Sequence, residues 1–363
     1  MNSQRSISIV IPVRNGTKYL ASAVRSALAQ TRQSDEVLVL DDNSQDGSAA
    51  IAKSSEWGGK VRYVLNKNPT GFADAWNRAA QHATGDYVVI LHQDDLLDSN
   101  YLETMGMCLD RFPGVRHFYT ACRYIDADGN LIRTCPLPHE GRPVIYTGRE
   151  YARRYLDGVW KNQHIHRCPG VMTERRLLLN ECRYRKEAGH IADDDFFYRV
   201  GKFTDVVGIS QPMTSYREHQ QSLTGKAELI DLVLARDYLF QIENQGDRSL
   251  VSGPTENAVF EKLTVRALNE ALYHTLRSRR PEWRDVLILA DKLDTLSSGA
   301  LVRNLPSWAN PMWALARGGH ENLAVCAAYT LQLGRGLLRR IRTRSLSGLR
   351  QRAMETSNTG PSS

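Results

Sequence analysis

The chain has no C-x-x-C pair, no G-x-G-x-x-G after its first apolar run and no apolar stretch long enough to cross a bilayer; each absence removes a class of protein. Its six cysteines, at 108, 122, 135, 168, 182 and 326, are irregularly spaced, which argues against a zinc ribbon, an iron–sulfur site or a disulfide framework and fits a reducing cytosol. Ile7 to Val13 is too short and too β-branched for the apolar region of a secretory leader. Ala324 to Leu333 falls well short of the roughly 18–20 apolar residues that a membrane-spanning helix needs. The 13 prolines and 26 glycines are near average usage, so low complexity explains nothing. What is there is an ordinary globular composition: 363 residues, 42% hydrophobic and 24% charged, room for one large domain or a domain and a half.

Charge of one sign is also missing over most of the chain. The net charge of +7 belongs to one segment, Leu331 to Arg352, which carries seven arginines and no acid; the other 40 basic and 40 acidic residues balance. Leu331, Leu333, Leu337, Leu338, Ile341, Leu346 and Leu349 interleave with those arginines as in an amphipathic helix on an anionic membrane surface. The competing reading is a solvated, frayed tail. No aromatic residue is present there to stack on bases, so nucleic acid is not the expected partner.

The first half alternates two periodicities. Ile7–Val13, Val37–Leu40, Val61–Leu65 and Tyr87–Leu91 read as buried strands, and Tyr19, Leu20, Ala23, Val24, Ala27 and Leu28 repeat at helical spacing, as do Phe72, Trp76, Ala79, Ala80 and Ala83. This βαβαβαβ order predicts a largely parallel sheet covered on both faces, with ligands bound beyond the carboxyl ends of the strands. Asn15, the Asp41-Asp42 doublet and the Asp94-Asp95 doublet each follow a strand, so three loops are expected to converge on one crevice. Asp193-Asp194-Asp195, followed by three aromatics, suits a charged ligand or a proton transfer, and equally a helix N-terminus answering the macrodipole. Beyond about Gly225 the pattern is helical without strands, over Leu229–Asn244, Asn257–Arg277 and Trp283–Leu296, with breakers at Gly253-Pro254 and between Leu305 and Pro311. Three parts are expected: an α/β domain over 1–225, a helical subdomain over 226–330 and a basic amphipathic tail over 331–363.

Five segments in this order resemble the family 2 glycosyltransferases of the GT-A fold, over roughly Ser6 to Thr224. Ile9-Val10-Ile11-Pro12-Val13-Arg14-Asn15-Gly16 resembles the family's opening strand and nucleotide loop, and Val39 to Gly47 its V-D-D-x-S-x-D-G signature. Gly71 to Arg78 is similar to its glycine-to-Asn helix, Leu91-His92-Gln93-Asp94-Asp95 to its D-x-D-type metal motif, and Ala192 to Asp195 to its catalytic-base segment. Two positions depart from it: His92 stands where the commonest motif has its first acid, and Ala192 where a Glu often precedes the base.

The resemblance implies a Rossmann-like, mostly parallel sheet flanked by helices, and an inverting transferase that uses a nucleoside-diphosphate sugar, in the family's usual uridine-linked form. It implies that Pro12, Arg14, Asn15, Asp41, Asp42, Asn77 and Asp94 bind the nucleotide sugar, with Asp41 on the base and Asp94 near the ribose or sugar. Asp95 would hold Mn2+ or Mg2+ on the diphosphate, and His219, in Tyr216-Arg217-Glu218-His219-Gln220-Gln221-Ser222, would reach the metal or diphosphate from the other side. Asp193 would be the general base, with Asp194 and Asp195 as the alternatives. The implied acceptor is a glycan or lipid-linked glycan, and the implied location is cytoplasmic, peripheral on the membrane through the tail. The rival readings are a non-catalytic membrane-surface binding protein on the same fold and a sugar-nucleotide nucleotidylyltransferase; the missing G-x-G-x-x-G counts against a nucleotide-dependent oxidoreductase.

Overall fold

The structure is a computed structural model that describes residues 5–69, 71–135, 142–161, 163–220, 222, 230–243, 254–278, 280–297, 300–306, 309–318, 324 and 327–328. The basic tail over 331–363 and residues 136–141 lie outside them. The chain divides into two compact units, one of Met1–Glu228 with Arg236–Leu263, the other of Leu229–Ala235 with Thr264–Ser363.

The first unit is built on a ten-stranded sheet. Strands β1 (Ile7–Val13), β2 (Glu36–Asp41), β3 (Val61–Leu65) and β4 (Tyr87–Ile90) alternate with helices α1 (Leu20–Leu28), α2 (Ser48–Ala52) and α3 (Phe72–His82). They pair in parallel in the order β3-β2-β1-β4, because near-continuous apolar runs such as Ile7–Val13 can only be satisfied with both faces covered. Helix α1 buries Leu20, Ala23, Val24 and Ala27, one face at the i, i+3, i+4, i+7 spacing, and joins Ile9, Ile11, Val37, Val39 and Val89 in the main core. The chain leaves β1 on one side for β2 and returns on the other for β4, so β1 and β4 flank the topological switch where such sheets place their ligands.

Beyond β4 the pairing is mixed. After β5 (Leu96–Leu97) and α4 (Tyr101–Arg111), β6 (His117–Ile125) pairs with β7 (Leu131–Thr134), and β8 (Val144–Tyr146) leads into α5 (Gly148–Lys161). Strand β9 (Val171–Glu174) inserts antiparallel between β4 and β6, followed by α6 (Arg175–Asn180), α7 (Ala192–Val200) and the long β10 (Val206–Arg217), parallel to β6. The α/β sheet flanked by helices expected from the sequence is therefore present, with an antiparallel component added in its second half.

Helices follow, as the pattern implies: α8 (Ile230–Glu243), α9 (Pro254–Arg277), α10 (Trp283–Leu296), α11 (Ala300–Asn304) and α12 (Asn310–Arg317). Pro254 and Pro311, read as breakers, instead open α9 and α12, since a proline in the first turn lacks only an N–H that has no helical partner anyway. Within the second unit the Trp313 indole N–H donates to Asn269 Oδ1 at 3.3 Å, and Arg317 pairs with Asp291 at 3.0 Å, tying α12 to α9 and α10.

Candidate active site

The loops after β1, β2 and β4 are stitched together by polar side chains. Asp42 N–H donates to Val13 C=O at 2.8 Å and extends the ladder past the strand ends. Asp41 is fully buried; its Oδ1 accepts from Ser44 N–H and its Oδ2 from the Tyr63 hydroxyl, both at 2.8 Å. Burial together with that carboxylate pushes the Tyr63 hydroxyl up to about 12. Asp42 accepts from the Asn66 amide. Asn15 and Asn43 both adopt the left-handed region, with φ of 53° and 59°, which Asn tolerates better than most residues. Asn15 N–H donates to Ser44 Oγ at 3.0 Å, Gln45 N–H donates to Asn15 Oδ1 at 2.8 Å, and Arg14 N–H donates to Gln93 Oε1 at 2.8 Å. Pro12 is half-buried beside them, and the Arg14 side chain is exposed.

Another expected nucleotide residue engages the backbone of a distant segment. Asn77, on α3, clasps the Tyr184 backbone: its Nδ2 donates to Tyr184 C=O at 2.8 Å and its Oδ1 accepts from Tyr184 N–H at 3.0 Å. Both ends of its amide are engaged.

After β4, His92, Asp94 and Asp95 each bring one ligand-type atom within 4.8 Å of the others. Asp95 is buried; its Oδ1 accepts from Arg217 N–H at 2.8 Å, while its Oδ2 has no hydrogen-bond partner and lies 3.5 Å from His92 Nδ1. Burial foremost, with the Asp94 charge, raises the Asp95 carboxyl to about 6 against the pull of His92. The His92 ring stacks on Trp76 with centroids 5.3 Å apart and 12° between planes, which sets its orientation. Two carboxylates and an imidazole, with one buried carboxylate oxygen unpartnered, fit a hard divalent cation. His219 is outside this trio: its Nε2 lies 2.9 Å from Asp94 Oδ2. His92, a departure from the motif, thus stands inside the cluster, and His219 supports it through Asp94. Arg217 closes the arrangement, its guanidinium donating to the Asp94 carbonyl at 2.9 Å and the Asp126 carbonyl at 3.0 Å.

The three consecutive carboxylates form the first turn of α7, so both sequence readings of them meet in one place. A helix turns about 100° per residue and sends them in different directions. Asp195 is buried between two guanidiniums, accepting from Arg185 Nε at 3.0 Å and Arg199 Nε at 2.8 Å, and these partners hold its carboxyl below the usual range against the cost of burial. Asp194 accepts from the Tyr155 hydroxyl and lies 3.8 Å from His164 Nδ1. Among the described residues Asp193 takes a hydrogen bond only from Asp194 N–H, at 2.9 Å. Burial first, then the Asp194 charge, raises its carboxyl to about 6, while the Arg167 and His92 charges pull the other way.

Sequence reasoning passed over the stretch from Tyr101 to Ile191, and part of the site lies there. Tyr155 on α5, Tyr184, and Arg167 before β9 surround the carboxylates of α7. The His164-Ile165-His166-Arg167 run was the available signal, but histidines and arginines without a strand-end position carry little weight alone.

The chain is similar to known proteins. The model of glycosyl transferase family 2 matches residues 8–178. Glycosyltransferase GlyG of Streptococcus pneumoniae serotype 4 is 33% identical over 249 residues, covering 64% of this chain and 76% of the relative. Escherichia coli chondroitin synthase is 37% identical over 130 residues, 35% of this chain but only 18% of that protein's length. In the crystal structure of S. aureus TarS 1-349 in complex with UDP-GlcNAc, the fold superposes with a TM-score of 0.62 at 14% identity, covering 91% of this chain and 92% of that one. A strand-end acidic crevice on a GT-A sheet, the family model and a relative matched over three-quarters of its length lead to one conclusion: the chain belongs to glycosyltransferase family 2.

Proposed function

We propose that this glycosyltransferase moves a sugar, with inversion, from a UDP-linked donor to a glycan or lipid-linked glycan, with Asp193 as general base. The observation that carries the assignment of the base is the division of labour in α7: Asp195 is tied to two arginines and Asp194 to Tyr155, whereas Asp193 accepts, among the described residues, only a backbone N–H. A carboxylate held near 6 is ionised at neutral pH and basic enough to take a proton from an acceptor hydroxyl as it attacks, a contribution of about 10²–10⁴-fold.

The donor's place is the crevice beyond β1, β2 and β4. Asp41 and Asp42 offer carboxylate oxygens to the base and ribose end, with Pro12, Arg14 and Asn15 on the adjoining loop, and Asp94 stands toward the sugar. A uridine diphosphate donor is favoured because TarS, on the same fold, holds UDP-GlcNAc. Asp95, with Asp94 and His92 beside it and His219 behind Asp94, would hold Mn2+ or Mg2+. When bound, such a cation neutralises charge on the departing diphosphate. Asn77 contributes by fixing Tyr184 at the crevice wall.

The α/β part over 1–225 would carry this chemistry. The arginine-rich segment 331–352, outside the described residues, would hold the enzyme peripherally on an anionic cytoplasmic membrane face. Among the described residues no helix is long and apolar enough to cross a membrane.

The test is release of nucleoside diphosphate from a panel of nucleotide sugars with Mn2+ or Mg2+, comparing the intact protein with Asp95→Ala and Asp193→Asn. Metal-dependent turnover of one donor, lost in both variants, supports the reading. Turnover that survives Asp193→Asn unchanged removes Asp193 from the role of base.

A further inference from the structure

Arg167 is a guanidinium without a carboxylate partner. It lies just before the turn Cys168–Gly170 that leads into β9, partly exposed, with its Nε donating to the Tyr124 hydroxyl at 3.2 Å and its charge 5.4 Å from the Tyr216 ring centre. Among the described residues neither of its Nη groups takes a hydrogen bond, and no carboxylate comes within 4.0 Å of it. Four of its five N–H donors are therefore uncommitted. A planar fork with open donors at a partly exposed position is free to grip a flat anionic group. The neighbouring Arg133, by contrast, is paired with Glu218.

The turn that follows Arg167 is close-packed. Gly170, in the same turn, packs so closely on β6 that a Cβ would stand 2.8 Å from the Thr120 carbonyl, so the turn is pinned to the sheet. Tyr124 and Tyr216 meet the guanidinium, and the charges of Asp194 and Asp193 act on it. Arg167 thus lies within electrostatic reach of the carboxylate that would meet an acceptor hydroxyl.

We propose that Arg167 binds an oxyanion, a phosphate or a carboxylate, carried by the acceptor. A forked guanidinium matches either group through two parallel charge-assisted hydrogen bonds. The same acceptor then presents a hydroxyl to Asp193 and its anionic group to Arg167, and a neutral sugar lacks the second anchor. This assignment rests on the reading of Asp193 as base, but its test needs no turnover.

The probe is inorganic phosphate, titrated by calorimetry into the full chain already saturated with UDP and Mg2+. Saturable phosphate binding is expected in the intact protein, weakened at least tenfold in Arg167→Gln and less in Arg167→Lys, with UDP affinity the same in all three. Asp193→Asn is expected to keep phosphate binding or strengthen it, since a nearby negative charge is removed; its loss of turnover tests the base separately. Thermal melts of each variant establish folding, and if Arg167→Gln does not fold, Tyr124→Phe, which frees the guanidinium from its one partner, is expected to shift phosphate affinity without touching UDP. Phosphate binding that disappears once UDP is present would assign the arginine to the donor diphosphate and overturn the proposal. Equal binding by the intact protein and Arg167→Gln, or by the intact protein and Tyr124→Phe where that variant stands in, overturns it as well.

Discussion

His219 Nε2 lies 2.9 Å from Asp94 Oδ2, joining the end of β10 to the loop after β4 across 125 positions of sequence. The pair orients a carboxylate of the metal-type cluster from behind, as outer partners of metal ligands do. His219→Ala is expected to weaken Mn2+ or Mg2+ activation by about 10–100-fold. Because both residues act through one bond, Asp94→Asn combined with His219→Ala is expected to cost little more than the worse single change, and a double-mutant cycle on metal activation checks this.

As the proposed base, Asp193 is expected to make the reaction pH-dependent. The base must be ionised, so kcat/KM is expected to be level above about 6 and to fall tenfold per pH unit below it. The same shift acts on stability with the opposite preference. A carboxyl raised from 3.8 to about 6 favours the folded state while protonated, a contribution fully present below 3.8 and lost as pH rises through 6. Asp193→Asn is therefore expected to raise Tm at pH 7 and to leave it nearly unchanged at pH 4, which differential scanning calorimetry reads directly.

Asp195 differs from its neighbour in kind. Removing a carboxylate from between two guanidiniums leaves buried charge uncompensated, so Asp195→Ala is expected to destabilise the fold by about 3–5 kcal/mol. Its lowered carboxyl contributes stability that is present above 3.8 and lost as pH falls through its folded value, so the deficit is expected to shrink in acid. Urea titrations at pH 7 and pH 3.5 measure both.

Asn77→Ala leaves the Tyr184 N–H and C=O without their partner, a cost of about 1–3 kcal/mol. The expected signature is a lower urea midpoint with UDP affinity within twofold of the intact protein. A UDP affinity that drops tenfold with unchanged stability would return Asn77 to direct donor binding.

Much of the first unit was legible in the order of residues. Runs such as Ile7–Val13 and Val37–Leu40 announce buried strands because their apolar side chains need cover on both faces, and Asp41-Asp42 and Asp94-Asp95 fall at strand ends because the polar groups begin where the sheet stops. The later pairings were not legible. Val171–Glu174 is four residues long, and nothing local to it says that it will lie antiparallel between β4 and β6, drawn there by partners some fifty to ninety positions away.

The sequence by itself determined the fold class, the family and the acidic loops of the crevice, since periodicity and strand-end motifs are local properties of the chain. Tertiary structure decided which residue meets which. His92 stands within the trio and His219 meets it through Asp94, because His92 shares the loop of both carboxylates while His219 reaches them from the end of β10. Asp195 is bound to Arg185 and Arg199 and Asp193 is left with a backbone N–H, because a helical turn points consecutive side chains at different neighbours. The turn after Arg167 presses against β6 at Gly170, where a Cβ would stand 2.8 Å from the Thr120 carbonyl. Such roles depend on distances between segments far apart in the chain, and those distances exist only once the core has closed.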